Sequence, residues 1–131
     1  MLFEDNDERA LFFAKGVVET VKKLNWAPDI IHVHGWLASL LPLYLKTYYG
    51  NEPLFDGCKI VTSLYSQGFE GALNQDLAKK VGFDGIDKEQ CAHLESPNYL
   101  NVMKTAIDHS DAIIEGSPDL SDELLSYVVA H

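Results

Sequence analysis

The chain is poor in fixed positive charge: Arg9 is its only arginine, and Lys plus Arg total 10 against 20 Asp plus Glu. The formal net charge is −10, and the acidity is spread along the chain. Neither nucleic-acid phosphates nor an anionic lipid surface finds the cationic footprint it needs, so no nucleic acid and no membrane are expected as partners. No apolar run approaches the ~18–20 residues of a membrane span. The acidic start Glu4-Asp5-Asn6-Asp7-Glu8 is not a signal peptide, and a soluble, cytoplasmic protein is expected. Cysteine is scarce too. Cys58 and Cys91 form no C-x-x-C, so reduced thiols are the simplest expectation, with one disulfide as the alternative. The motifs G-x-G-x-x-G, G-x-x-x-x-G-K-[ST] and G-x-S-x-G are all missing, which leaves dehydrogenase, P-loop and serine-hydrolase readings without their signatures.

What is there is globular. Of the 131 residues, 47% are hydrophobic and 23% charged, enough for one domain or part of one around a single core. Ala10, Phe13, Ala14, Val17, Val18, Val21 and Leu24 recur at helical spacing over residues 8–24, and Asp5 and Glu8 are placed for a capping box. Pro28 and Gly35 bracket the β-branched run Asp29 to His34, which reads as a buried parallel strand. A nearly apolar helix is expected from about Trp36 to Tyr49, with Pro42 kinking it or shortening its first part. Lys59 to Leu64 is the next strand. Residues 65–96 are polar and glycine-punctuated with one modest helix near Leu73 to Val81, a length usually functional or mobile. Ser96-Pro97 and Ser117-Pro118 each carry a helix-opening signal, with the strand Asp111 to Glu115 between them. Most Met, Phe and Tyr residues fall on helical stripes and are assigned to the core.

This alternation predicts an α/β fold with a parallel sheet. The first element is a helix with no strand before it, and the last reaches Ala130-His131 without a C-cap. The chain is therefore expected to be a piece of a larger doubly wound domain.

Open parallel sheets bind ligands beyond the carboxyl ends of their strands, where helix N-termini can offer free N–H groups. That rule selects His34-Gly35-Trp36, Tyr65-Ser66-Gln67-Gly68 and Gly116-Ser117-Pro118, each also explicable as a plain turn. His32 and His34 alternate and so share one strand face. As a metal pair they lack a third ligand at suitable spacing. A structural hydrogen bond from strand to loop suits His32, deeper in the strand, and a catalytic or sugar-contacting role suits His34 at its end. His93 and His109 carry no constellation and read as surface or helix-end residues. Asp119, Asp122 and Glu123 read as carboxylates complementing a helix dipole rather than as catalysts.

Several segments in order resemble the N-terminal domain of the bacterial glycogen (starch) synthases. Asn6-Asp7-Glu8-Arg9 followed by Phe12-Phe13 is similar to the family's Asp/Asn-x-x-Arg-Phe helix. Trp26-Ala27-Pro28-Asp29-Ile30-Ile31-His32-Val33-His34-Gly35-Trp36 is similar to the Trp-x-Pro-Asp-x-x-His-x-His-Asp-Trp-His signature, and Leu41 to Lys46 continue it in register. Val61-Thr62 through Gln67-Gly68 resembles a degraded Thr-Ile-His-Asn-x-x-Tyr-Gln-Gly segment. Tyr99-Leu100-Asn101, Asp111, and Gly116-Ser117-Pro118 with Glu123 resemble a helix, strand and Ser-Pro helix start of the family.

The resemblance implies a partial three-layer Rossmann-like sheet, the acceptor-side half of a GT-B type glycosyltransferase, with residues 1–131 a fragment of that domain. It implies transfer of glucose from ADP-glucose or UDP-glucose to an α-1,4-glucan acceptor, with no cofactor or metal beyond that sugar-nucleotide substrate. His34 would contact the transferred glucose as the catalytic residue. Gly35, Trp36, Gln67, Gly68 and Ser117 would line the substrate cleft. Gly35 and Leu37 depart from the family's Asp and His, and the His-Asn pair is absent from the 61–68 segment. The family's Lys-x-Gly-Gly loop and its C-terminal domain, the missing partner, lie outside these residues, so the 131 residues alone are expected to be inactive. The other class of function is a non-catalytic α/β binding or interaction module derived from such an enzyme.

Overall fold

The computed structural model describes residues 5–65 and 71–130. Three strands, β1 (Ile30–His34), β2 (Lys59–Leu64) and β3 (Ala112–Glu115), form a parallel sheet in the order β1-β2-β3. His34 stands opposite Ser63, and Leu64 opposite Glu115, so the three carboxyl ends share one edge. The helices are α1 (Asn6–Lys23), α2 (Leu40–Lys46), α3 (Leu77–Gly82), α4 (Tyr99–Asp108) and α5 (Asp122–Ala130). The α/β class with a parallel sheet is as expected.

The sheet is half-buried, whereas β1 was expected to be buried throughout. Ile31, Val33, Ile60, Thr62, Leu64 and Ile113 point to the helix-covered face. On the other face Ile30 is 63% and Ile114 45% exposed, beside exposed His32 and His34. The period of two in a strand separates these faces whatever the hydrophobicity of the run. Two clusters make the core. One joins α1, α2, α3 and the first two strands, the other joins the end of β2 to α4 and α5, and Trp36 packs against both.

Helix α1 buries Ala10, Ala14 and Val18 against α2, as its stripe predicts. Phe13 and Leu24, expected in the core, instead join Phe12, Trp26 and Leu37 along an open apolar groove of about 960 Å³. Ala10, Ala14 and Val18 form the buried line of the helix, which leaves Phe13 and Leu24 on its open flank. Phe83 and Tyr48 are exposed too, so the general assignment of aromatics to the core fails at these positions. No capping box forms: Asp5 caps without a side-chain bond and pairs with Arg9 at 3.2 Å. Glu8 reaches Lys80 at 3.0 Å, and Lys80 also holds the fully buried Asp7 at 2.7 Å. Removing a cation from a buried carboxylate costs far more than removing an exposed partner. Lys80→Met is therefore expected to lower the melting temperature by roughly 5 °C, with Glu8→Gln nearly silent, as differential scanning fluorimetry would show.

Pro42 shortens α2 rather than kinking it. It is the third helical residue, where the missing N–H had no intrahelical acceptor to serve. Residues 36–39 form turns instead, with Ser39 N–H donating to Trp36 C=O at 3.1 Å. Leu40 to Leu45 are all buried, and Tyr44 donates to Asp84 at 2.6 Å, where Lys15 also pairs at 2.7 Å.

Within 71–96 the described chain is well packed, with Leu77, Val81 and Leu94 fully buried. Both Ser-Pro signals are displaced. Asn98, not Ser96, caps α4, accepting from Asn101 N–H at 2.9 Å, while Pro97 C=O accepts from Leu73 N–H at 2.9 Å. Ser117-Pro118 lies in a turn, and α5 begins at Asp122 with Ser121 Oγ accepting from Leu124 N–H at 3.2 Å. The capping bonds that Asn98 and Ser121 make to the N–H three residues on fix the observed helix starts. Cys58 and Cys91 are free thiols, and burial pushes both upward from the ordinary thiol range.

Asp111 ties β3 to β2: its Oδ2 accepts from Ile60 N–H at 2.8 Å and faces Lys46 Nζ at 3.3 Å. The Ile60 N–H, then Lys46, outweigh partial burial and hold this carboxyl below its usual range. A depressed folded-state value stabilises above the unfolded value, ~3.9, and the gain is lost as pH falls through the folded one. Asp111→Asn is expected to flatten the acid limb of denaturation below about pH 4 while leaving its neutral-pH shape unchanged, as circular dichroism at stepped pH would show.

Candidate functional site

The site is the edge where the parallel strands end. His34 is the last residue of β1, Tyr65 follows β2, and Gly116 follows β3. On β1 the two imidazoles reach diagonally across the sheet. His32 stands opposite Val61 but bonds through Nε2 to Ser63 Oγ at 2.6 Å. His34 stands opposite Ser63 but bonds through Nδ1 to Tyr65 Oη at 2.7 Å. The rings lie 4.0 Å apart between centroids. His32 therefore makes a structural bond, but from strand to strand rather than from strand to loop as expected. His34 is exposed with Nδ1 engaged, so Nε2 is the nitrogen a ligand would meet.

Gly35 has φ +77°, and nothing stands where its Cβ would be. Its requirement is the left-handed backbone that turns the chain sharply out of β1, not lack of room. Trp36 is half-buried in both core clusters, so its visible work is packing. Ser117 is partly buried in the turn after β3. Gln67 and Gly68 lie outside the described residues. No helix N-terminus meets the ligand edge at Ser117, since α5 starts five residues later, and α2 starts only at Leu40.

Three residues of this edge carry roles that the sequence did not assign: Tyr65 and Gly116, which lie in the selected loops, and Tyr99, which lies outside them. Tyr65 continues the alternation of Ser63 and so shares the histidine face, a signal the period of two carries. Tyr99, whose phenol burial pushes up from its ordinary range, donates to the Tyr65 carbonyl at 2.7 Å. A Cβ on Gly116 would stand 2.5 Å from the Tyr65 ring and 2.8 Å from the Leu64 carbonyl. Away from this edge, His93 does have a constellation, contrary to expectation. Its Nε2 lies 3.2 Å from Asp108, and Tyr127 Oη donates to the same carboxylate at 2.5 Å. His109 behaves as a helix-end residue, its Nδ1–H donating to Thr105 C=O at 2.8 Å. Among the described residues no three His, Cys, Asp or Glu side chains gather into a metal site, and no helix is long and apolar enough to cross a membrane.

The comparisons with known proteins concern the family. Residues 2–131 match the family model of the starch synthase catalytic domain. The chain is 36% identical over 118 residues to a glycogen synthase of Chlorobium phaeovibrioides, covering 89% of the chain and 23% of that protein. A glycogen synthase of Clostridium perfringens is 33% identical over 121 residues, covering 92% of the chain and 25% of that protein. The chain thus spans about a quarter of the length of such relatives. No solved structure matches it significantly. A parallel sheet whose first strand and following helix lie in the Pro-Asp to Leu-Lys block, and a family match over nearly every residue, lead to one assignment: the chain belongs to the starch synthase catalytic domain family.

Proposed function

We propose that these residues form part of the acceptor-side half of a glucosyltransferase that moves glucose from ADP-glucose or UDP-glucose onto an α-1,4-glucan. The observation that carries this reading is the exposed imidazole of His34 at the carboxyl edge of a sheet from that family. In it, Nε2 of His34 contacts the transferred glucose, and Gly35, Gln67, Gly68 and Ser117 shape the cleft around it. Trp36 holds the turn in place from the core side.

Stabilisation of the departing diphosphate is the largest demand of such a transfer. The described edge offers an imidazole and hydroxyls, and in this reading the cations that hold the diphosphate belong to residues other than these. The 131 residues alone are expected to transfer no glucose from either donor, whereas a longer natural chain containing them extends glycogen. Radiolabelled transfer to glycogen from each donor checks both statements and chooses the nucleotide. Activity of the 131-residue chain, or none from the longer chain with either donor, would overturn this reading.

A further inference from the structure

Tyr65 belongs to no metal site and no core cluster, yet three neighbours fix it. Its carbonyl accepts from Tyr99 Oη of α4 at 2.7 Å. Its ring occupies the space that a Cβ on Gly116 would need, so the chain after β3 bounds it on that side. Its hydroxyl reaches His34 Nδ1 at 2.7 Å, the two rings lying 6.0 Å apart and within 26° of parallel. Behind His34 the His32 ring is held in turn by Ser63. A residue fastened through backbone and ring, with its polar end on an exposed imidazole, is built to orient that imidazole.

We propose that Tyr65 is a positioning residue for His34: its phenol donates to Nδ1, which puts the neutral ring's proton on Nε2 and aims that N–H at a ligand oxygen. This rests on the reading that His34 faces the transferred glucose. The direction of the bond follows from donor and acceptor strength. A phenol O–H is a stronger donor than a neutral imidazole N–H, and an imidazole nitrogen is a stronger acceptor than a phenol oxygen. Among the described residues the phenol has His34 Nδ1 as its hydrogen-bond partner, and a neutral imidazole has one acceptor nitrogen and one donor. A phenol donating to Nδ1 leaves Nε2–H as the outward group. The reverse arrangement would use the weaker donor and the weaker acceptor of the pair, and would leave an acceptor at Nε2. A second-layer bond of this kind sets which ring nitrogen carries the proton. Removing it lets both tautomers and several ring rotations populate.

The test combines spectroscopy on the 131-residue chain with kinetics in a longer active chain. Long-range ¹H–¹⁵N spectra, with His34 assigned by its loss in His34→Ala, are expected to show the Nε2–H tautomer. In Tyr65→Phe the two ring nitrogens should move toward a common averaged shift while the thermal midpoint stays close to that of the parent. In the longer chain the same change should lower kcat roughly tenfold, about 1.4 kcal/mol, with KM for the glucan unchanged. An Nδ1–H tautomer in the parent, or no change in tautomer or kcat in Tyr65→Phe, would overturn the positioning role. If His34→Ala itself leaves transfer unchanged, the reading of the site falls instead, and the spectra still decide whether Tyr65 sets the tautomer.

Discussion

His34→Ala in a longer active chain is expected to reduce kcat for glucosyl transfer by roughly 10²–10³-fold, the loss typical of removing one hydrogen-bond donor from a transition state. Glucan KM should change little, because the imidazole lies at the strand edge and its proposed contact is to the transferred sugar. The structure predicts that the variant folds. His34 is exposed, and its bond to Tyr65 is a single one, worth about 1 kcal/mol. His34→Gln separates charge from geometry, since an amide donates but cannot accept a proton. Recovery of part of kcat by Gln would assign hydrogen bonding to the role, and failure to recover would point to proton chemistry. Initial rates with the preferred donor, alongside a thermal melt of each variant, make the measurement. Wild-type rates from His34→Ala would remove His34 from the site.

Gly116→Ala is expected to damage both stability and the site, although it adds one methyl group. That methyl would stand 2.5 Å from Cε1 of Tyr65 and 2.8 Å from the Leu64 carbonyl. The ring can swing away, but the carbonyl cannot, because it accepts from Gly116 N–H at 2.7 Å and belongs to the last pair of the sheet. Overpacking of this kind costs typically 1–3 kcal/mol, so a fall in melting temperature of roughly 5–10 °C is expected. The displaced ring would also release His34 Nδ1, so the His34 tautomer should shift as in Tyr65→Phe. Tyr65→Phe leaves the space at Gly116 filled and should keep the stability that Gly116→Ala loses. A fully stable Gly116→Ala protein with the parent His34 spectrum would contradict the close packing described here.

Most elements could be placed from the sequence because they depend on spacing along a few residues. The 8–24 stripe, the bracketed run before His34, and Lys59 to Leu64 all appear where expected, within a residue or two. Helix starts were less legible. At 96–99 and 117–122 several capping residues compete, and Asn98 and Ser121 win over the serines that precede proline. Burial was least legible on the flanks, as Phe13 and Leu24 show. A helical stripe states which residues are apolar but not which of them the next helix covers.

The site divides the same way. His34 and Gly35 could be selected from local order, because a strand's last residue and a following glycine are sequence features. The Asp7–Lys80 pair, the His93–Asp108–Tyr127 cluster and the fit of Tyr65 against Gly116 could not. Their partners stand 73, 15 to 34, and about fifty positions apart in the chain, and only packing brings them together. The sequence by itself determined the parallel α/β order, the family, a disturbance of α2 at Pro42, and the placing of two imidazoles on one strand face. Tertiary structure alone decided which face stays open and which side chain holds His34, since those follow from hydrogen bonds and excluded volume between distant segments.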